Sequence, residues 1–171
     1  MEPKKIVVVV LMLIFIAGLG FFGYSKIANQ SGHKANENST ELPNPMMERA
    51  SVDEIQNALG FSFNSLPANT SDIKYFTIDN TIAQADFTAD GVTYTVRKAE
   101  ATAGDITGVY TEFTSSQTIA NSAGIDVLYQ YNEGSEGLAT WTWTAGDYVY
   151  SVFCESGARL DSMQSIVNAV S

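Results

Sequence analysis

The chain has 171 residues, 45% of them hydrophobic, with one Cys, one His and a formal net charge of -10. The imbalance is uneven: residues 1–43 hold four Lys against three Glu, whereas residues 44–171 hold five basic and sixteen acidic side chains. A domain this acidic is repelled by phosphate backbones and anionic headgroups, which argues against nucleic-acid binding and electrostatic docking on a membrane; solubility alone accounts for the charge.

The first element is an apolar run. Residues 6–24 are nineteen consecutive uncharged positions behind Lys4 and Lys5. As a helix rising about 1.5 Å per residue, such a run spans the roughly 30 Å hydrocarbon core of a bilayer. The lysines before it orient the N-terminus to the cytoplasm, and Phe21, Phe22 and Tyr24 fall where an interfacial aromatic belt sits. An uncleaved anchor is the preferred reading. A cleaved signal peptide stays open, with Gly23, Tyr24 and Ser25 offering small residues near a cleavage point. No cysteine follows the run, so lipoprotein processing is excluded. Residues 25–43, rich in Asn, Ser, Glu and Lys, have the composition of a disordered linker. His33 lies there, without a positioned partner. Asn38-Ser39-Thr40 and Asn69-Thr70-Ser71 match the N-glycosylation pattern, a short signal.

Ser51 and Glu54 have capping-box spacing, followed by Val52, Ile55 and Leu59 on one helical face and Gly60 as a stop. After a connection at 61–72, a strand is predicted at 73–78 and a turn at Asp79-Asn80. Asp90-Gly91 is a type I′ signal. It sets Ala89 against Val92, Phe87 against Tyr94 and Ala85 against Val96 on an apolar side. Thr88 and Thr93, Asp86 and Thr95, and Gln84 and Arg97 form a polar side. The alternation predicts one face packed on helices and one wet. Residues 100–108 read as loop, 109–114 and 125–132 as strands, and 132–137 as an acidic turn. The most decisive stretch is 137–154, read as a hairpin with a two-residue turn at Gly146-Asp147, Trp143 opposite Tyr150 and Trp141 opposite Val152. Its other side, Thr140, Thr142 and Thr144 beside Val149, Ser151 and Phe153, suits water or a thin cover. Leu160, Met163, Ile166, Val167 and Val170 then recur at helical spacing.

Groups for chemistry are sparse. A nucleophilic Ser, Cys or Thr needs a base beside it, and residues 44–171 contain no histidine. Lys74 and Lys98, the lysines of that region, sit in no recognisable motif. Cys154 falls on the Trp141 and Trp143 side and reads as a buried thiol. No zinc ligand set, calcium loop or phosphate-binding glycine loop is present. Among sixteen acids some pair always meets, so a glycosidase dyad carries no weight from sequence alone. Trp141, Trp143, Tyr148 and Tyr150 read as core before they read as a sugar platform. No catalytic, cofactor-binding or metal residue is therefore assigned, and no cofactor is expected.

Several motifs in order carry a family resemblance: Asn44-Pro45-Met46; Ala83-Gln84-Ala85-Asp86-Phe87-Thr88 with Asp90-Gly91-Val92-Thr93-Tyr94-Thr95-Val96-Arg97; Gly104-Asp105-Ile106-Thr107-Gly108-Val109-Tyr110; and the Trp143 to Tyr150 hairpin with its final helix. Together they resemble uncharacterised membrane-anchored or lipoprotein-like extracytoplasmic envelope proteins of Firmicutes, especially gut Clostridia. The resemblance covers about residues 44–170, implies a bacterial extracytoplasmic domain of unknown role and transfers no site residues.

The expected fold is α+β: one antiparallel meander-type sheet packed by a short N-terminal helix and a C-terminal amphipathic helix, preceded by one transmembrane helix. The chain divides into a cytoplasmic tail (1–5), an anchor (6–24), a linker (25–43) and an extracytoplasmic domain (44–171). The expected function is non-catalytic binding or sensing by a single-pass cell-membrane protein. Its partners would be the membrane through the N-terminal helix and a cell-envelope ligand or protein, not nucleic acid. A cradle for a lipid or peptide and a carboxylate-based glycan-acting enzyme are the alternatives.

Overall fold

The computed structural model describes residues 45–143 and 146–171. The tail at 1–5, the apolar run at 6–24, the linker at 25–43 with His33 and Asn38, and Asn44 lie outside the described residues. Among the described residues no helix is long and apolar enough to cross a membrane.

The elements are β1 (Met46–Arg49), α1 (Val52–Leu59), β2 (Ser71–Ile78), β3 (Ile82–Ala89), β4 (Val92–Glu100), β5 (Ser115–Ala120), β6 (Asp126–Tyr131), β7 (Gly137–Thr142), β8 (Tyr148–Cys154) and α2 (Leu160–Ala169). All strands join one antiparallel sheet in the order β1-β2-β3-β4-β8-β7-β6-β5. The fold class is α+β as expected, but the sheet is not a single meander. Two four-stranded meanders, β1 to β4 and β5 to β8, meet where β4 pairs with β8.

Local chemistry sets the elements. Ser51 caps α1 by accepting from the Glu54 amide at 3.3 Å, Glu54 accepts from the Ala50 amide at 2.8 Å, and Gly60 closes the helix at φ 80°. The reciprocal bond of the box thus lands one residue before the cap. Asp90 and Gly91 take φ of 50° and 78°, the positive pair a type I′ turn requires, and β3 pairs with β4 in the predicted register throughout. Asp79 and Asn80, also at positive φ, turn the chain between β2 and β3 in a three-residue loop completed by Thr81, whose amide donates to Ile78 O at 3.0 Å.

Two further expectations are corrected. First, the Trp hairpin is slipped by two residues: Trp141 pairs with Tyr150, and Ala139 with Val152. The Gly146 amide donates to Trp143 O at 2.7 Å and the Trp143 amide to Tyr148 O at 2.9 Å, so the arms close between Trp143 and Tyr148 and not around a two-residue Gly146-Asp147 turn. An even slip leaves every side chain on its expected face, because the strand period is two. Second, residues 109–114 are not a strand; the edge strand is the next segment, β5, whose Ser-Ser-Gln-Thr start hides its alternation. A short edge strand, β1, that no sequence signal announced precedes α1.

Both helices pack on one face of the sheet, the inner face. Ile55 of α1 and Met163, Ile166 and Val167 of α2 share a buried cluster with Ala85, Phe87, Val96, Val127, Tyr129, Ala139, Trp141 and Val152. Gly137 permits the closest approach: a Cβ there would lie 2.6 Å from Met163 Sδ and 2.8 Å from Ala158 Cβ. Each large side chain fully buried in such a layer contributes about 1.5–3 kcal/mol.

Candidate functional site

The outer face is covered differently. Residues 104–114 carry the chain from β4, near the middle of the sheet, to β5 at its edge, passing three intervening strands. At about 4.8 Å per strand spacing this is a span of roughly 19 Å, and the segment crosses it as an irregular strap. Its first end is pinned by Arg97. Nη1 donates to Ile106 O at 3.0 Å and Thr107 O at 2.7 Å, while Nε donates to Gln84 Oε1 at 2.7 Å. Its far end is pinned by Asn132, whose Oδ1 accepts from the Thr114 amide and hydroxyl, both at 2.8 Å. Ile106, Leu138 and Ala99 are buried yet stand apart from the inner cluster.

Within the strap, Asp105 Oδ1 accepts from the Thr107 amide and hydroxyl at 2.8 Å each, a local turn that aims the two carbonyls at Arg97. Those two bonds, with the nearby guanidinium, hold the Asp105 carboxyl below the ordinary aspartate range. Burial pushes Arg97 the other way, lowering it from the usual arginine value, while Asp86 and Asp105 favour its charged form. Gly108, at φ 60°, lies directly over the guanidinium: a Cβ would stand 2.7 Å from Nη1.

Between strap and sheet lies a cavity of about 510 Å³, within the usual range of ligand sites. Asp86, Thr93, Thr95 and Arg97 form its floor from β3 and β4, Ser151 and Phe153 from β8, Glu155 stands at the rim, and Thr107, Gly108 and Val109 are the roof. The floor is a linked network: Thr95 Oγ1 donates to Asp86 Oδ1 at 2.8 Å, and Gln84 Nε2 donates to the same carboxylate at 3.0 Å. Gln84 is thereby the buried hinge between Asp86 and Arg97. Tyr110, just past the roof, is 92% exposed.

The residues singled out in the sequence are distributed elsewhere. Cys154 is a buried free thiol whose pKa burial raises to about 11. Trp141 is buried and stacks on Tyr150 with ring centroids 5.1 Å apart and planes within 6°. It also touches an open groove of about 490 Å³ that includes Leu128, Thr140 and Asp126. Trp143 is half-buried and lines a separate inner-face cavity with Tyr148, Tyr150 and Lys98, where the single acid is Asp147. The two tryptophans thus border different spaces, and neither space brings two acids together. Lys74 is exposed, as is Asn69. Among the described residues no cluster of three His, Cys, Asp or Glu could hold a metal ion.

Sequence reasoning missed the strap and its anchor. The sequence signal for Arg97 was weak: a cation opposite Gln84 on the polar side of a hairpin is served equally well by water, and residue types alone do not show that the carbonyls of Ile106 and Thr107 accept from it. No protein-family model matches this chain, and no curated protein or solved structure matches it either.

Proposed function

We propose that residues 44–171 form an extracytoplasmic, non-catalytic binding module, held at the cell membrane by the 6–24 segment, that takes a neutral polyhydroxylated ligand between the strap and the outer face. One observation carries this reading. The cavity lining combines the hydroxyls of Thr93, Thr95, Thr107 and Ser151 with two carboxylates, one guanidinium and the ring of Phe153. Hydroxyls donate and accept, carboxylates accept from ligand hydroxyls, guanidinium N–H groups donate, and a ring offers an apolar face to a sugar ring. Two acids against one base in the lining, on an acidic domain, disfavour phosphate or sulfate ligands. The envelope location comes from the apolar run and the family resemblance.

A second reading, hydrolysis of a glycan by Asp86 and Glu155, draws on their sharing this cavity. One titration separates the two. Cellobiose, maltose and chitobiose are added to the full chain to about 10 mM, the weak-binding range, while backbone amides are followed by NMR. Binding predicts saturable shifts at 93–97, 107–109 and 151–156 that disappear in Thr93→Val/Glu155→Gln, a variant of two exposed lining residues whose side chains make no hydrogen bond among the described residues. Release of monosaccharide during the titration would select the enzyme. Absence of saturable shifts with every sugar would reject the glycan reading.

A further inference from the structure

Lys98 is the least expected side chain in the inner face. It follows Tyr94 and Val96 on the apolar side of β4, and its cross-strand neighbours are Ala83 and Tyr150. It is only 4% exposed. The ammonium donates to Ser62 O at 2.7 Å and stands over the rings of Tyr148 and Tyr150, 4.7 and 5.2 Å from their centroids. A lysine ammonium has three N–H groups and a full charge, and this one has a single hydrogen-bond acceptor among the described residues. The only ion pair among the described residues is Arg159 with Asp161, far along the sequence on the exposed start of α2. Ring faces offset part of a buried charge, but a buried cation without a carboxylate is a costly arrangement that an aliphatic side chain would avoid. Burial accordingly pulls the amine below the usual lysine value.

Lys98 nevertheless borders open space. It lines a cavity of about 340 Å³ walled by Phe61, Trp143, Tyr148 and Tyr150, with Gln56 and Asn64 among its polar positions. The walls are fixed by their neighbours. Phe61 packs on Tyr148 at 5.3 Å between centroids and Trp143 on Tyr150 at 6.3 Å. The loop that presents Ser62 is tied to the C-terminus, because the Asn64 amide donates to Ser171 O at 2.6 Å and Ser65 Oγ to Ala169 O at 2.7 Å. Such a cavity joins a desolvated point charge at its floor to aromatic walls, on the face opposite the strap.

We infer that this aromatic-walled cavity is a second binding site, for a small organic monocarboxylate whose carboxylate meets Lys98 Nζ and whose planar or apolar body lies against Trp143, Tyr148 and Phe61. The volume sits at the low end for ligand sites, which limits the occupant to a compact molecule. The carboxylate takes the N–H groups that Ser62 leaves over, and a charge-assisted bond in this dry setting is the strong kind. Asp147 at the cavity lining opposes a second negative charge, so a dicarboxylate is disfavoured.

Benzoate, with neutral benzamide as its isostere, tests this on the full chain by tryptophan fluorescence and by amide NMR. The expected result is saturable benzoate shifts at 61–64, 98 and 148–150, with benzamide at least about tenfold weaker, the worth of one charge-assisted hydrogen bond. Lys98→Met keeps the stem volume and removes the charge, and is expected to lose benzoate by a similar factor. If Lys98→Met does not fold, Trp143→Ala serves instead, removing one wall of the cavity while leaving the charge, and is expected to weaken both probes together. Asp147→Asn, by removing the opposing charge, tightens benzoate. Equal affinity for the two probes, unchanged benzoate binding in Lys98→Met, or no saturable shift overturns the inference. In that case Lys98 has only the structural role of fastening the Ser62 loop to the Tyr148 and Tyr150 rings. The sugar titration reports at different amides, so either site can fail alone.

Discussion

The two faces of this sheet are built from the same strands by different physics. On the inner face, Phe87, Val96, Val127, Tyr129 and Val152 meet two helices, and the contact is apolar and dense. On the outer face the strands offer Gln84, Asp86, Thr95, Arg97 and Ser151, and the cover is a strap held mainly by named hydrogen bonds at its two ends. The contrast teaches how the kind of cover decides what water is excluded. A helix layer excludes it over a broad area and leaves the smaller cavity at Lys98; a strap on polar supports leaves a larger one beside itself.

The comparison can be broken from either side, and the largest effect belongs to the inner face. Phe87→Ala removes a ring that is almost fully buried and is expected to cost about 3–5 kcal/mol in urea unfolding. A loss under about 1 kcal/mol would mean the inner layer is loosely packed. Next, Arg97→Ala frees the strap's two carbonyls and is expected to cost about 1–3 kcal/mol, with faster hydrogen exchange at Thr107 and Val109 and unchanged exchange at Val127 and Val152. Equal acceleration on both faces would show that strap and core open as one unit.

A smaller effect follows from Gly108→Ala, which meets both a φ of 60° and the guanidinium at 2.7 Å, and is expected to cost about 1–2 kcal/mol while moving Arg97 resonances. An unchanged melting temperature together with unchanged Arg97 resonances would place Gly108 out of contact with the guanidinium. The smallest effect is acidic. The folded Asp105 carboxyl titrates below its ordinary value of 3.8, so its contribution is present above that pH and is lost as pH falls through the lower folded value. The Thr107 amide is expected to lose protection in that window in the native protein and not in Asp105→Asn. An identical acid response in the variant would remove Asp105 from the strap's turn.

Much of the inner face was legible because its determinants are local. Asp90-Gly91 fixes a hairpin register by turn geometry, and period-two alternation then assigns every side chain of β3 and β4. The Trp hairpin teaches a narrower point. Its faces were legible and its register was not, since the width of the reversal depends on whether Gly146 bonds back to Trp143, a choice that residue types alone leave open. The pairing of β4 with β8 is non-local and has no adjacent signal, so two meanders look like one. The strap escaped because 109–114 is β-prone by composition but lies over the sheet instead of within it. Lys98 was not legible as an inward residue: it continues the Tyr94 and Val96 side of β4, where a charge is unexpected, and the Ser62 carbonyl and two rings make that placement tolerable.

Native-state hydrogen exchange combined with thiol labelling of Cys154 tests the separation of the two faces most directly. Cys154 is buried and its thiol is held mainly protonated at neutral pH, so labelling reports core opening. The account predicts that Thr107 and Val109 exchange through a low-energy opening insensitive to urea. Val127, Val152 and the Cys154 thiol should instead respond only through the urea-sensitive global unfolding. A single opening free energy shared by strap amides and the Cys154 thiol would contradict it.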